Sequence, residues 1–123
     1  MARKPQAEIE VVQKEDYCLV KVGSTFEARN HVDVRQAANR AVGMGCTKLV
    51  FDVSQCGYID SSAIGLMVEM YRRLNPQGRR VGLLKPTENV RRIIGLTRTD
   101  SLIAIYDSEE AIAADESSVA PPT

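Results

Sequence analysis

Three adjacent residues, Asp60, Ser61 and Ser62, offer the densest candidate chemistry in this chain. They stand where an apolar, strand-like run gives way to a helical pattern. Aspartate and serine are favoured helix N-caps because their oxygens accept backbone N–H groups that no helical carbonyl satisfies, a contribution of about 1 kcal/mol. A serine in a helix's first turn is also exposed at the carboxyl end of a strand, where open α/β sheets place their sites. A phosphate on that serine would add about −1.5 to −2 charge, which a helix N-terminus tolerates. The same charge would repel a partner with an acidic docking face. One modification could therefore leave the fold intact and switch off an interface. Residue types alone leave capping and phosphoacceptor both open.

Other chemistries find little support. The single histidine, His31, opens a helical segment, a common surface or capping position. The serines sit in Ile59-Asp60-Ser61-Ser62-Ala63 rather than in the Gly-x-Ser-x-Gly elbow of a hydrolase. Neither a Gly-x-x-x-x-Gly-Lys-Ser/Thr loop nor Gly-x-Gly-x-x-Gly occurs. Cys18, Cys46 and Cys56 lack Cys-x-x-Cys spacing, and one histidine does not complete an ordinary zinc site. Cys56 lacks the closely following arginine of a thiol phosphatase loop. The expectation is a non-enzyme with no cofactor and no metal of its own.

The elements that must position the serine pair are read from periodicity. Glu8-Ile9-Glu10-Val11-Val12 and Cys18-Leu19-Val20-Lys21-Val22 form two strands, paired as a hairpin. Val34, Ala37, Ala38, Ala41 and Val42 give one apolar face to a helix over 31–44, ended by Gly43 and Gly45. Lys48-Leu49-Val50-Phe51-Asp52-Val53 reads as a strand covered on both faces. The helix after Ser62 carries Ile64, Met67, Val68, Tyr71 and Leu74 on its apolar side and stops before Asn75-Pro76-Gln77-Gly78. Val81-Gly82-Leu83-Leu84 is a strand, and Pro86-Thr87-Glu88 opens a helix with Val90, Ile93 and Ile94 inward. Leu102-Ile103-Ala104-Ile105-Tyr106 is the last strand, and Ser108-Glu109-Glu110-Ala111-Ile112 begins the last helix. The order ββαβαβαβα predicts an α/β fold, a single open mixed β-sheet with helices packed on it. Its expected bounds are 8–114, with an N-terminal extension over 1–7 and a disordered tail over 115–123.

With 123 residues the chain makes one domain, and 44% apolar and 26% charged residues mark it as globular. No apolar run approaches the ~20 residues of a membrane span, and the charged N-terminus does not read as a signal peptide. Sixteen basic and sixteen acidic residues give no net charge, which argues against direct nucleic-acid binding. Three scattered cysteines suit a reducing cytoplasm. Charge is uneven along the chain: residues 71–100 carry eight basic and two acidic groups, and 101–123 carry five acidic and no basic ones. Either basic and acidic segments neutralise each other, or Arg72, Arg73, Arg79, Arg80, Arg91, Arg92 and Arg98 form one exposed basic face.

The stretch Leu49-Val50-Phe51-Asp52-Val53 … Tyr58-Ile59-Asp60-Ser61-Ser62-Ala63-Ile64-Gly65-Leu66, followed by Gly78-Arg79-Arg80-Val81-Gly82-Leu83-Leu84, resembles a STAS domain of the bacterial anti-sigma factor antagonist type. Val90-Arg91-Arg92-Ile93-Ile94-Gly95-Leu96-Thr97 and Ile105-Tyr106-Asp107-Ser108-Glu109-Glu110-Ala111 fit the same family. The most specific element is Asp60-Ser61-Ser62-x-Ile64-Gly65, between a strand and a helix. The resemblance implies a STAS-like fold and a partner-switching regulator of transcription. Such a protein binds an anti-sigma factor that is also a serine kinase, and so releases a sigma factor. Phosphorylation of the serine after the aspartate, here Ser61, ends binding, and a PP2C-type phosphatase restores it.

By the same resemblance Asp60 shapes the acceptor loop and Ser62 helps cap the helix. The partner face takes in Asp60, Ser61, Ser62, Ala63 and Ile64; Tyr58 and Phe26, read as exposed, are either ordinary surface apolar residues or anchors for the partner. This chain has Ala63 where the family usually has glycine, and Gly23-Ser24-Thr25-Phe26 where many members have Gly-x-x-Asp. Glu27 follows directly, so docking would use Glu27, apolar contact through Phe26, or a different kinase. Two other readings stay open: a non-switching STAS interaction module with Ser61 as a cap, and a domain binding a small anion at the helix N-terminus.

Overall fold

The structure, a computed structural model, describes residues 9–116. Strands β1 (Glu10–Gln13) and β2 (Tyr17–Lys21) form the expected antiparallel hairpin, with Val11 opposite Val20. β2 then pairs in parallel with β4 (Lys48–Asp52), β4 with β6 (Arg80–Leu84), and β6 with β7 (Ala104–Tyr106), in the order β1-β2-β4-β6-β7. Two strands of two residues each, β3 (Thr25–Phe26) and β5 (Tyr58–Ile59), add a small parallel ladder beside this sheet. The helices are α1 (His31–Gly43), α2 (Ser61–Leu74), α3 (Glu88–Leu96) and α4 (Glu109–Ala114).

The period of two sorts each central strand onto two cores. Cys18, Val20, Leu49, Phe51, Val81 and Leu83 face one core, which they share with Ala37 and Ala41 of α1, Leu66 and Met70 of α2, and Val90 and Ile94 of α3. Tyr17, Leu19, Val50, Leu84 and Tyr106 face the other, which Ile112 of α4 closes. β4 is therefore covered on both sides, as its apolar run predicts.

Two expectations are corrected, and the choice between the two readings of the charge is decided. The stripe of α2 is Ala63, Leu66, Met67, Met70 and Leu74, with Ile64, Val68 and Tyr71 only half-buried. α2 packs on α1 as well as on the sheet, and that second contact turns its inner face towards Leu66 and Met70. The basic segment does not form one face. Arg79 instead ties off α1 by donating to the Val42 and Cys46 carbonyls, each at 3.0 Å. Arg80 pairs with Asp115 at 3.2 Å and Arg91 with Asp107 at 3.0 Å, so the acidic end does neutralise part of the basic middle. Asp115, expected at the start of a free tail, also accepts the Tyr106 hydroxyl at 2.5 Å. The expected extension over 1–7 and the tail beyond Glu116 lie outside the described residues.

Candidate functional site

The site grows from the carboxyl end of β4. Beyond Asp52 the chain leaves the sheet, and neighbours on both sides hold the loop that follows. Thr87 and Asn89, at the start of α3, donate to the carbonyls of Cys56 (2.9 Å) and Gly57 (3.0 Å). From the other side Gly57 N–H reaches the Ser24 carbonyl at 3.0 Å. β5 then pairs with β3, setting Tyr58 against Thr25 and Ile59 against Phe26. Thr87 is legible in the sequence as a cap, and it does cap α3 by accepting from Val90 N–H. Its second bond, across 31 residues to Cys56, leaves no local trace.

Asp60 ends this segment in extended backbone, at φ −125° and ψ −170°, as an N-cap requires. One carboxylate oxygen accepts from Ser62 N–H at 2.9 Å and Ala63 N–H at 3.2 Å. The other accepts from Ala28 N–H at 3.0 Å, in the loop between β3 and α1. Capping is thus the work of Asp60, and the expectation that Ser62 caps α2 is corrected. Ser61, at the first helical position, is exposed, and among the described residues nothing hydrogen-bonds its hydroxyl.

The loop fastened by Asp60 brings Glu27 alongside. Glu27 N–H donates to Asn30 Oδ1 at 2.9 Å, while its carboxylate pairs with Arg29 at 3.1 Å. Asn30 also donates to the Thr25 carbonyl at 2.7 Å, so this turn is held from both ends. Tyr58 is 48% exposed beside it. Ser61, Tyr58, Glu27 and the rim of Ser62 and Ile64 are the reachable parts of the predicted set. Phe26 and Ala63 are fully buried. Phe26 is corrected from surface residue to core residue: pairing of β3 with β5 turns its ring inward to lie 5.7 Å from that of Phe51. Cys56 is buried too, and burial pushes its thiol pKa up against the opposing effect of a backbone hydrogen bond with Tyr58. Such a thiol is a poor nucleophile. Among the described residues no three His, Cys, Asp or Glu side chains gather to hold a metal ion, and no helix is long and apolar enough to cross a membrane.

An open mixed sheet with an exposed serine at a capped strand-to-helix junction defines a class, the STAS domain. The STAS domain family model matches residues 8–112, and the chain belongs to that family. A candidate anti-sigma factor antagonist of Thermotoga maritima is 27% identical over 78 residues, covering 63% of this chain and 69% of the relative. The fold is shared with an anti-sigma factor antagonist from Mycobacterium paratuberculosis, at TM-score 0.78 and 21% identity over 89% of this chain and 93% of that one. It is also shared with the anti-sigma factor antagonist SpoIIAA of Bacillus in its unphosphorylated form, at TM-score 0.72 and 19% identity over 85% and 92%. SpoIIAA has also been solved in its phosphorylated form.

Proposed function

We propose that this chain is an anti-sigma factor antagonist whose partner binding is switched at Ser61. Unphosphorylated, it engages an anti-sigma factor that doubles as a serine kinase and frees a sigma factor. Phosphorylated on Ser61, it lets go, and a PP2C-type phosphatase resets it. In this reading the chain is a kinase substrate and binding module of the cytoplasm, and the ATP and metal belong to its partners.

The observation that carries the reading is the division of labour between Asp60 and Ser61. Because Asp60 satisfies the first-turn N–H groups of Ser62 and Ala63, α2 does not need the Ser61 hydroxyl. That disfavours Ser61 as a mere cap. It also disfavours a small-anion site, since a protein carboxylate already fills the cradle an anion would take. A phosphate on Ser61 would stand next to the Asp60 carboxylate, adding about −1.5 to −2 charge at the start of α2. Glu27 stands one position after Phe26, which occupies the place where many members of the family carry the acid of Gly-x-x-Asp.

The test is capture of partners from a lysate of the source organism with Ser61→Ala and Ser61→Asp chains. Retention of an ATP-binding kinase by the alanine form and its loss by the aspartate form supports the switch. Equal retention by both forms overturns it and leaves a constitutive STAS interaction module.

A further inference from the structure

Far from Ser61, the C-terminal end of α1 gathers three sulfur atoms. Gly45, at φ +81°, takes the left-handed turn that returns the chain beneath the last turn of the helix. This brings Cys46 back towards Cys18 of β2. The thiols of Cys18 and Cys46 both point at the Ala41 carbonyl, at 3.9 and 3.7 Å. Met44 Sδ lies 3.8 Å from Cys18 Sγ. Cys18 and Cys46 are buried, whereas Met44 is 42% exposed and offers the way in.

We propose that Cys18, Met44 and Cys46 form a binding site for a soft monovalent metal ion, copper(I). Thiolate and thioether sulfurs are the donors that select this ion, whereas a structural zinc site takes four ligands and the trio supplies only two thiolates and a thioether. Three sulfurs around an ion in a trigonal plane, with bonds of about 2.3 Å, lie about 4.0 Å apart. The Cys18–Met44 separation is already close to that. On binding, each thiol loses its proton to solvent and the two thiolates bond the ion, leaving the centre with one net negative charge. The Arg79 guanidinium, which donates to the Val42 and Cys46 carbonyls at the same helix end, supplies the countercharge. In the free protein burial and the hydrogen bond with Cys46 push the Cys18 thiol pKa up.

The experiment is an anaerobic copper(I) titration of the full, reduced chain against the chelator bicinchoninate, followed by X-ray absorption of the loaded protein. One ion per chain is expected, in an all-sulfur shell of three atoms at about 2.3 Å. Retention against the chelator should fall more than 100-fold in Cys18→Ala and Cys46→Ala and roughly tenfold in the exposed Met44→Leu, and stay unchanged in Cys56→Ala. A wild-type shell with oxygen or nitrogen neighbours, or no ion held against the chelator, overturns the site. So does loss of binding in Cys56→Ala alone. The absorption result decides the matter on the unmutated chain even if a core cysteine variant fails to fold.

Discussion

The Asp60 carboxylate and the Ala28 backbone N–H meet at 3.0 Å, joining segments 32 residues apart. The same carboxylate caps α2, so one side chain sets both the start of the helix and the position of the loop bearing Glu27. The geometry around Ser61 therefore depends on its neighbour rather than on the serine. Asp60→Ala removes three accepted hydrogen bonds and should lower stability by about 1–3 kcal/mol. Asp60→Asn keeps an oxygen for the helix but turns a donor towards Ala28 N–H, and should fall between wild type and Asp60→Ala. Urea unfolding of the three chains, with m-values compared, checks the order.

Ser61 itself should be dispensable to the fold. Its hydroxyl is exposed and the cap lies on Asp60, so Ser61→Ala and Ser61→Asp should both unfold within about 0.5 kcal/mol of wild type. A loss above 1 kcal/mol in Ser61→Ala would give the hydroxyl a structural role that the geometry does not show.

Much of this was legible in the sequence. β4 is an unbroken apolar run and the helices show clear stripes, so the order of the main elements and the mixed sheet followed from periodicity. β3 and β5 did not, because two residues show no period and their pairing comes from chain segments far apart. Phe26 was misplaced for that reason: after Gly23-Ser24-Thr25 it looks like part of a polar turn, and only the ladder with β5 turns it inward. Asp60, Ser61 and Ser62 do lie at a strand-to-helix junction. All three are good N-caps by type, however, so the choice among them rested on backbone dihedrals that no residue pattern encodes.

Gly82 marks a packing limit on the α4 face of the sheet. A Cβ built there would stand 2.6 Å from Tyr106 Cε2 and 3.1 Å from the Ala104 carbonyl oxygen. The Tyr106 ring is not free to withdraw, since its hydroxyl is bound to Asp115 and the ring is buried. Gly82→Ala should therefore destabilise by about 1–3 kcal/mol, although alanine suits a strand better than glycine does. Thermal unfolding shows the sign directly, and an unchanged or raised Tm would mean that β7 shifts at little cost.

Lys48 is buried at the start of β4, with Nζ 2.6 Å from the Ile112 carbonyl and 3.4 Å from Asp16. It thus ties the end of α4 to the sheet. Lys48→Met keeps the stem and removes the donor, leaving a helix-end carbonyl without its charged partner. The expected loss is about 1.5–3 kcal/mol. Hydrogen exchange should place the change in α4 and β7, and uniform loss of protection across α1 and α2 would refute this local tether.

Alkaline pH should unfold the domain through two tyrosines on that same face. Burial, reinforced by hydrogen bonds to carboxylates, pushes the Tyr17 pKa up to about 12 beside Glu109, and the Tyr106 pKa up to about 12 beside Asp115. An unfolded tyrosine loses its proton near pH 10, so between pH 10 and 12 the native state binds more protons than the unfolded chain. Stability then falls with rising pH: the tyrosine contribution is complete below pH 10 and is lost through pH 12. Each shift of about 2 units corresponds to roughly 2–3 kcal/mol. Tyr17→Phe and Tyr106→Phe cannot ionise, so each should lessen the decline measured by urea unfolding from pH 9 to 12, while losing its own hydroxyl bond at neutral pH. If both variants decline as steeply as wild type, the alkaline limb belongs to other groups.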